Sequence, residues 1–337
     1  MNLADIKGSA REKMKGYCRV CPVCDGRACA GEVPGMGGTG TGSSFRANLE
    51  ALASVRLNMR TIHGAGDPQT GIELFGKKLA TPVLAAPMTG TPYNMGGAVT
   101  ERDFIGMIIS GSRRAGSLGF SGDGADPSMY DYGLEAIAHE GGHGVAVIKP
   151  RAQEAVIDLI RRAEAAGACA VGVDVDGAGL ITMALKGQPV GPKTISELKQ
   201  LIGSTELPFI IKGIMTVDEA SAAADAGAAA IVVSNHGGRI LDHTPGAAEV
   251  LPAIAGAVRQ RVKILADGGV RSGADVIKLL AMGADAVLVG RPLAVGAFGG
   301  AAEGVKFFID KMTSELKQAM ILTGCGSLQD IGGDILA

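Results

Sequence analysis

The sequence predicts an α/β fold, a (β/α)8 TIM barrel behind a cysteine- and glycine-rich N-terminal extension. From residue 82 onward, short β-branched runs alternate with longer amphipathic stretches, the pattern of parallel strands joined by helical crossovers. Eight such runs can be counted. Gly167, Gly227 and Gly283 stand where left-handed caps would close three of the helices. A doubly wound sheet is the main competitor, but its dinucleotide fingerprint is missing near the first strand.

The first eighty residues lack the alternation and are read as an extension and lid segment, 1–80, ahead of a barrel over 81–337. The opening MNLADIKGSAREKMKG has the charge of a surface helix and not the apolar core of a signal peptide. Tyr17 to Phe45 holds four cysteines and then a polar glycine run from Gly35 to Ser44, expected to be a loop folded over something. Phe45–Asn58 reads as a helix leading into the barrel. The strands are expected at Pro82–Ala86, Ser117–Ser121, Gly144–Ile148, Ala170–Asp174, Pro208–Lys212, Ala229–Ser234, Lys263–Asp267 and Ala286–Gly290. Among the helices, Glu154–Ala166 repeats Val156, Leu159, Ile160 and Ala163 at helical spacing, and Ala274–Met282 does so with Val276, Leu279 and Leu280.

At 337 residues the chain is long enough for one large barrel and its extension. Lys+Arg 32 against Asp+Glu 34 leaves a net charge of -2 without a basic block, which argues against nucleic acid or an anionic membrane as partner. The longest apolar runs look strand-sized, so no membrane span is expected and the protein is read as cytoplasmic. With 52 glycines, about twice the average usage, and no Trp, the core must be aliphatic and many turns tight.

Ser234-Asn235-His236-Gly237-Gly238-Arg239 follows the apolar run Ala229–Val233 directly, placing an imidazole and a cation at a strand end, where barrel enzymes keep their chemistry. Lys263–Ala266 opens into Asp267, Gly268, Gly269 and Arg271, and the next unit repeats the arrangement with Gly290 and Arg291. Such glycines admit phosphate oxygens to backbone N–H groups and the arginines bind them; alternatively, they only make tight turns. Lys212 ends strand five, to face an anion or to pair with a carboxylate. Asp174 and Asp176 end strand four on one side of the chain, where either is placed to orient His236.

In SNHGGR, LPFIIKG, ADGGVRSG and LVGRP together, the stretch from about Pro82 to Ile331 resembles the FMN-dependent α-hydroxy-acid oxidising family, which includes glycolate oxidase, lactate oxidase and the flavin domain of flavocytochrome b2. The resemblance implies FMN as cofactor and His236 as the base that removes a substrate proton, with Asp176 holding its imidazole and Arg239 gripping the substrate carboxylate. Lys212 would sit by the flavin N1/O2 edge. Asp267, Gly268, Gly269, Arg271, Gly290 and Arg291 match phosphate and ribityl contacts, while Ser234, Ser121 and the backbone of Pro87, Met88 and Thr89 match positions along the flavin. The family also implies a homotetramer or larger.

The departures fall on the substrate side. Two substrate tyrosines and a second arginine have no clear counterpart; Ile148 stands near one tyrosine position and Lys149 supplies a cation beside it. Asp174 replaces a threonine that faces the flavin, where a carboxylate would accept a hydrogen bond from flavin N3. The loop from Gly177 to Pro192 is short and has no arginine.

Cys18, Cys21, Cys24 and Cys29 are spaced C-x2-C-x2-C-x4-C, close to the ferredoxin run and also compatible with zinc. A metal or cluster, redox exchange, and four plain reduced thiols all stay open, and no metal ligand is assigned. An Fe–S cluster beside a flavin would offer an electron exit. Cys169 and Cys325 read as ordinary small residues.

The expected function is oxidation of a lactate- or glycolate-like 2-hydroxy acid to the 2-oxo acid, the electrons passing on to oxygen, a quinone or a protein. The alternatives are an FMN-dependent isomerase resembling type 2 isopentenyl diphosphate isomerase, which lacks the SNHGGR motif, and a flavin/Fe–S electron-transfer protein.

Overall fold

In the computed structural model, which describes residues 2–337, all eight expected strands form and close on themselves. A hairpin of β1 (Ile72–Leu74) and β2 (Lys77–Leu79) precedes the barrel strands β3 (Val83–Met88), β4 (Gly119–Ser121), β5 (Gly144–Ile148), β6 (Ala170–Asp174), β7 (Phe209–Ile214), β8 (Ala230–Val233), β9 (Lys263–Ala266) and β10 (Ala286–Val289). Neighbours pair in parallel, and β10 closes onto β3 through Val287 to Val83 and Leu288 to Leu84.

Alternation along each strand sorts the core into two layers. Leu84, Phe120, Val145, Val147, Ile210, Val232, Leu265 and Leu288 form one packed cluster inside the barrel. Leu74 and Leu79 join it, so the β1–β2 hairpin plugs the end of the barrel away from the strand C-termini. Val83, Ile148, Val171, Val173, Ile211, Ile231, Ile264 and Val287 belong instead to the layer shared with the helices. The glycine caps at Gly167, Gly227 and Gly283 have φ of 74°, 94° and 109°, the left-handed region in which a side chain is strained.

Two strands run past their expected ends, and both do so at bulges. The β3–β4 register shifts between Ala85 and Met88, and the β7–β8 register between Lys212 and Ile214. Bulges re-aim side chains at barrel rims. At Gly213, φ is 100° and a Cβ would lie 2.6 Å from Asp176 Cγ, so the glycine lets the Asp176 side chain close against β7.

The last helix, Arg291–Thr323, corrects the expectation that apolar runs are only strand-sized: at 33 residues it is long and apolar enough to cross a membrane. More than half of its most apolar stretch is buried in the protein, and its helical geometry breaks at Gly300–Ala301. The N-terminal helix Leu3–Lys13 lies against it with Ile6 and Ala10 fully buried. A Cβ on Gly299 would sit 2.1 Å from the Ile6 carbonyl oxygen. An alanine in a helix ordinarily gains about 1 kcal/mol over glycine, but this clash forces the two helices apart at about 1–3 kcal/mol. Gly299→Ala is therefore expected to lower the thermal midpoint, read by calorimetry; a raised midpoint would show that the contact does not hold the helix.

Candidate active site

The C-terminal ends of the strands open into a cleft with about 1130 Å³ of non-atom space, counting its open mouth. Pro87, Met88, Thr89, Lys149, Asp174, Lys212, His236, Arg239, Asp267, Gly268, Gly269, Arg271, Gly290 and Arg291 all line it, as expected of a single site. Asp176 does not, and neither do Ser121 and Ser234. Both serines are fully buried below the cleft wall, Ser121 Oγ donating to Val145 O at 3.4 Å and Ser234 Oγ to Asp267 Oδ2 at 2.9 Å. Ser234 Oγ also accepts the His236 N–H at 3.0 Å, so it shapes the turn that carries His236.

One wall gathers alternating charges. Asp174 ends β6 between two lysines: Lys149 Nζ donates to Oδ2, and Lys212 Nζ to Oδ1 at 3.0 Å. Both carboxylate oxygens are thus engaged by cations. His236 stands on a left-handed turn with φ of 57°, an uncommon conformation for a side-chain-bearing residue. Its Nδ1 lies 3.1 Å from Asp176 Oδ1, 3.4 Å from Lys212 Nζ and 3.5 Å from Asp174 Oδ1. Lys212 already donates to Asp174, so we assign the Nδ1 proton to the closer Asp176, which leaves Nε2 as the basic nitrogen. Burial would raise the Asp174 carboxyl, yet His236, Lys149 and Lys212 hold it well below its ordinary range. Burial and the Asp174 charge push Asp176 upward.

The opposite wall is cationic. Arg239 donates to the carbonyls of Gly35 and Gly37 and to Asn94 Oδ1; Arg291 donates to those of Met36, Gly37 and Gly237. Arg271 reaches its neighbour Val270 O and the Cys24 sulfur. Among the described residues, none of the three forms an ion pair with a carboxylate. Burial lowers Arg239 to about 10, and burial with repulsion from Arg239 and Arg271 lowers Arg291 to about 9.

Most carbonyls on Arg239 and Arg291 come from the N-terminal glycine run, at Gly35, Met36 and Gly37, which lies over the cleft as a lid would. Thr39 N donates to Gly238 O at 2.9 Å, and the helix Ser43–Ser54 follows with the Phe45 ring 3.9 Å from the Arg291 guanidinium. A Cβ on Gly238 would lie 2.3 Å from Phe45 N, which explains the second glycine of the motif. Gly268 and Gly269 likewise face Asn48 at 2.5 and 2.7 Å. Asp242 fastens the lid, accepting from Thr41 Oγ1 at 2.8 Å and Ser43 N at 3.0 Å.

Tyr93, Asn94 and Asp123 also line the cleft and were not singled out from sequence. They follow the first two barrel strands, and that position at a strand C-terminus was the available signal. Burial, then the Glu101 charge, pushes the Tyr93 phenol to about 12, so it remains an O–H donor. Asp123 is bound by both Nε and Nη2 of Arg151, at 3.1 and 2.9 Å, and supports the wall.

A family model described as FMN-dependent dehydrogenase matches residues 35–184 and 180–337. The chain belongs to that family. It is 32% identical over 325 residues to an L-lactate oxidase of Lacticaseibacillus rhamnosus, covering 87% of this chain and 86% of the relative. A 4-hydroxymandelate oxidase of Amycolatopsis orientalis is 31% identical over 368 residues, covering 97% and 96%. A solved mandelate oxidase variant with 2-hydroxy-phenylacetamide superposes with a TM-score of 0.79 at 32% identity, covering 97% of this chain and 95% of that one. The protein is accordingly an FMN-dependent enzyme of the α-hydroxy-acid oxidising group.

The residues fit that cofactor. Arg271 and Arg291, guanidiniums without a carboxylate partner, suit a phosphate dianion, and two buried polar atoms facing this region, Asp267 Oδ1 and Arg271 Nε, have no hydrogen-bond partner in the protein. A Cβ on Gly290 would meet only Met88 Sδ at 3.6 Å and Ala86 Cβ at 3.9 Å, ordinary contacts, so protein packing does not demand that glycine.

The lid latch generates a prediction. Desolvation opposes ionisation of Asp242, but hydrogen bonds from Thr41, His243 and Ser44 hold it well below its ordinary range. Its stabilisation is therefore complete above the unfolded carboxylate value of about 4 and is lost as pH falls through the depressed folded value. Asp242→Asn should weaken lid docking by about 1–3 kcal/mol, seen as faster proteolysis within residues 31–42 at neutral pH. In the wild type the same cleavage should accelerate only well below pH 4; unchanged cleavage in the variant would remove Asp242 from lid closure.

Proposed function

We propose that the enzyme oxidises a small 2-hydroxy acid of the lactate or glycolate kind to its 2-oxo acid, with His236 as base. The observation that carries this reading is the His236–Asp176 contact, with Nε2 left free in a cleft that also presents Arg239. FMN, when bound, supplies the acceptor for two electrons.

Arg239 grips the substrate carboxylate, exchanging lid carbonyls for a charged acceptor in a water-poor pocket. The Tyr93 phenol donates to the same substrate, taking the place of the family tyrosines absent here. His236 Nε2 receives a proton from the substrate, and Asp176 keeps the imidazole oriented and stabilises its cationic form, as carboxylates do for other histidine bases. Lys212 would hold a fixed positive charge beside the flavin N1/O2 edge, and Asp174 with Lys149 keeps that ammonium in position. Arg271, Arg291 and Gly290 would hold the phosphate and Asp267 a ribityl hydroxyl. The lid of the 1–80 segment keeps water out of the 81–337 barrel.

The test is anaerobic mixing of FMN-loaded protein with glycolate, lactate and mandelate, followed by flavin absorbance. The wild type should bleach with at least one acid. His236→Ala should keep FMN and slow bleaching about 10²–10⁴-fold; full-speed reduction would remove His236 from the reaction. Lys212→Met should lower the flavin midpoint potential, and an unchanged potential would place its ammonium away from the ring.

A further inference from the structure

We propose that Cys18, Cys21, Cys24 and Cys29 bind a [4Fe–4S] cluster in the lid, and that this cluster relays electrons from the flavin site to an external carrier.

Three observations converge on this site. The four cysteines fall within twelve residues of irregular chain, and all are free. Among the described residues no three of the thiols bring their sulfurs mutually within 4.8 Å. A tetrahedral zinc site, with Zn–S of about 2.3 Å, requires sulfurs about 3.8 Å apart. In a [4Fe–4S] cluster each thiolate binds a different iron and the sulfurs stand wider.

The backbone is bent toward that arrangement. Val20, buried between Cys18 and Cys21, has φ of 45°, a genuine outlier for a β-branched residue. The bend aims the Val20 N–H at Cys18 Sγ, 3.4 Å away. Arg271 Nη2 reaches Cys24 Sγ, also at 3.4 Å. Hydrogen bonds to sulfur are among the levers that set a cluster's potential.

Position supplies the function. Arg271 lines the cleft and touches Cys24, so the cysteine segment abuts the cleft at its arginine-rich end. On the outer side Val23 is 75% exposed, leaving the segment open to a carrier. Oxidation of a 2-hydroxy acid to the 2-oxo acid releases two electrons and two protons. The cluster carries one electron at a time, so the two electrons leave in successive single transfers. They reduce two molecules of a one-electron carrier protein with an iron–sulfur or flavin centre, and the protons go to water. This relay rests on the hydroxy-acid reading above, whereas the cluster itself does not.

The test is iron and sulfide analysis of the full chain, purified without oxygen and reconstituted with ferrous iron and sulfide, with electron paramagnetic resonance after dithionite reduction. About four irons and four sulfides per chain, with a reduced-cluster signal, are expected. Cys21→Ala should lose the four-iron cluster and its signal while retaining FMN. Stoichiometric zinc, or four titratable thiols without iron after reconstitution, would overturn the proposal. Because these assays need no substrate, absence of a cluster is distinguishable from failure of the acid to bleach the flavin.

Discussion

A charged side chain withdrawn from water must find a partner, and this requirement organises the whole barrel mouth. The protein meets it differently on the two walls. Around β6 and β7 it alternates signs, Lys149–Asp174–Lys212 beside His236–Asp176, so the charges are compensated within the chain. Across the cleft Arg239, Arg271 and Arg291 receive only uncharged acceptors from carbonyls, the Asn94 amide oxygen and a thiol. The first wall can move a proton without gross charge imbalance; the second is ready for anions.

The same requirement explains the N-terminal segment. Carbonyls of Gly35, Met36 and Gly37 solvate the arginines from above, and the Phe45 ring covers Arg291. Gly238, Gly268 and Gly269 are consequences of that close approach as much as of any phosphate contact, since a Cβ at each would strike the lid helix. Turn-forming and ligand-binding explanations of these glycines therefore both hold, at different positions. Gly290 is the one whose packing leaves the ligand explanation standing alone.

Barrel strands were legible because each is a short apolar run whose two faces are both buried. Their ends were less so: β3 and β7 extend through bulges, which arise from register with neighbouring strands and leave no local signature. Most cleft residues were legible because they follow strand ends in motif-like runs. Ser121 and Ser234 are buried beneath the cleft wall, because proximity in sequence does not say which layer a side chain occupies. The lid contacts join positions about 200 residues apart, as in Arg239 to Gly35, and use backbone carbonyls that no residue type announces. Tyr93 and Asn94 were overlooked because Thr-Pro-Tyr-Asn looks like an ordinary turn.

The account depends on a neutral imidazole, oriented by Asp176, drawing a proton from a bound hydroxy acid. Its most direct test is single-turnover anaerobic flavin reduction with a reducing 2-hydroxy acid and with its 2-deuterated form. A several-fold slower reduction by the deuterated acid is predicted, because the Cα–H bond breaks in the step that His236 serves. Flavin that stays oxidised with every 2-hydroxy acid, or that is reduced equally fast by both isotopic forms with binding already saturated, would contradict it.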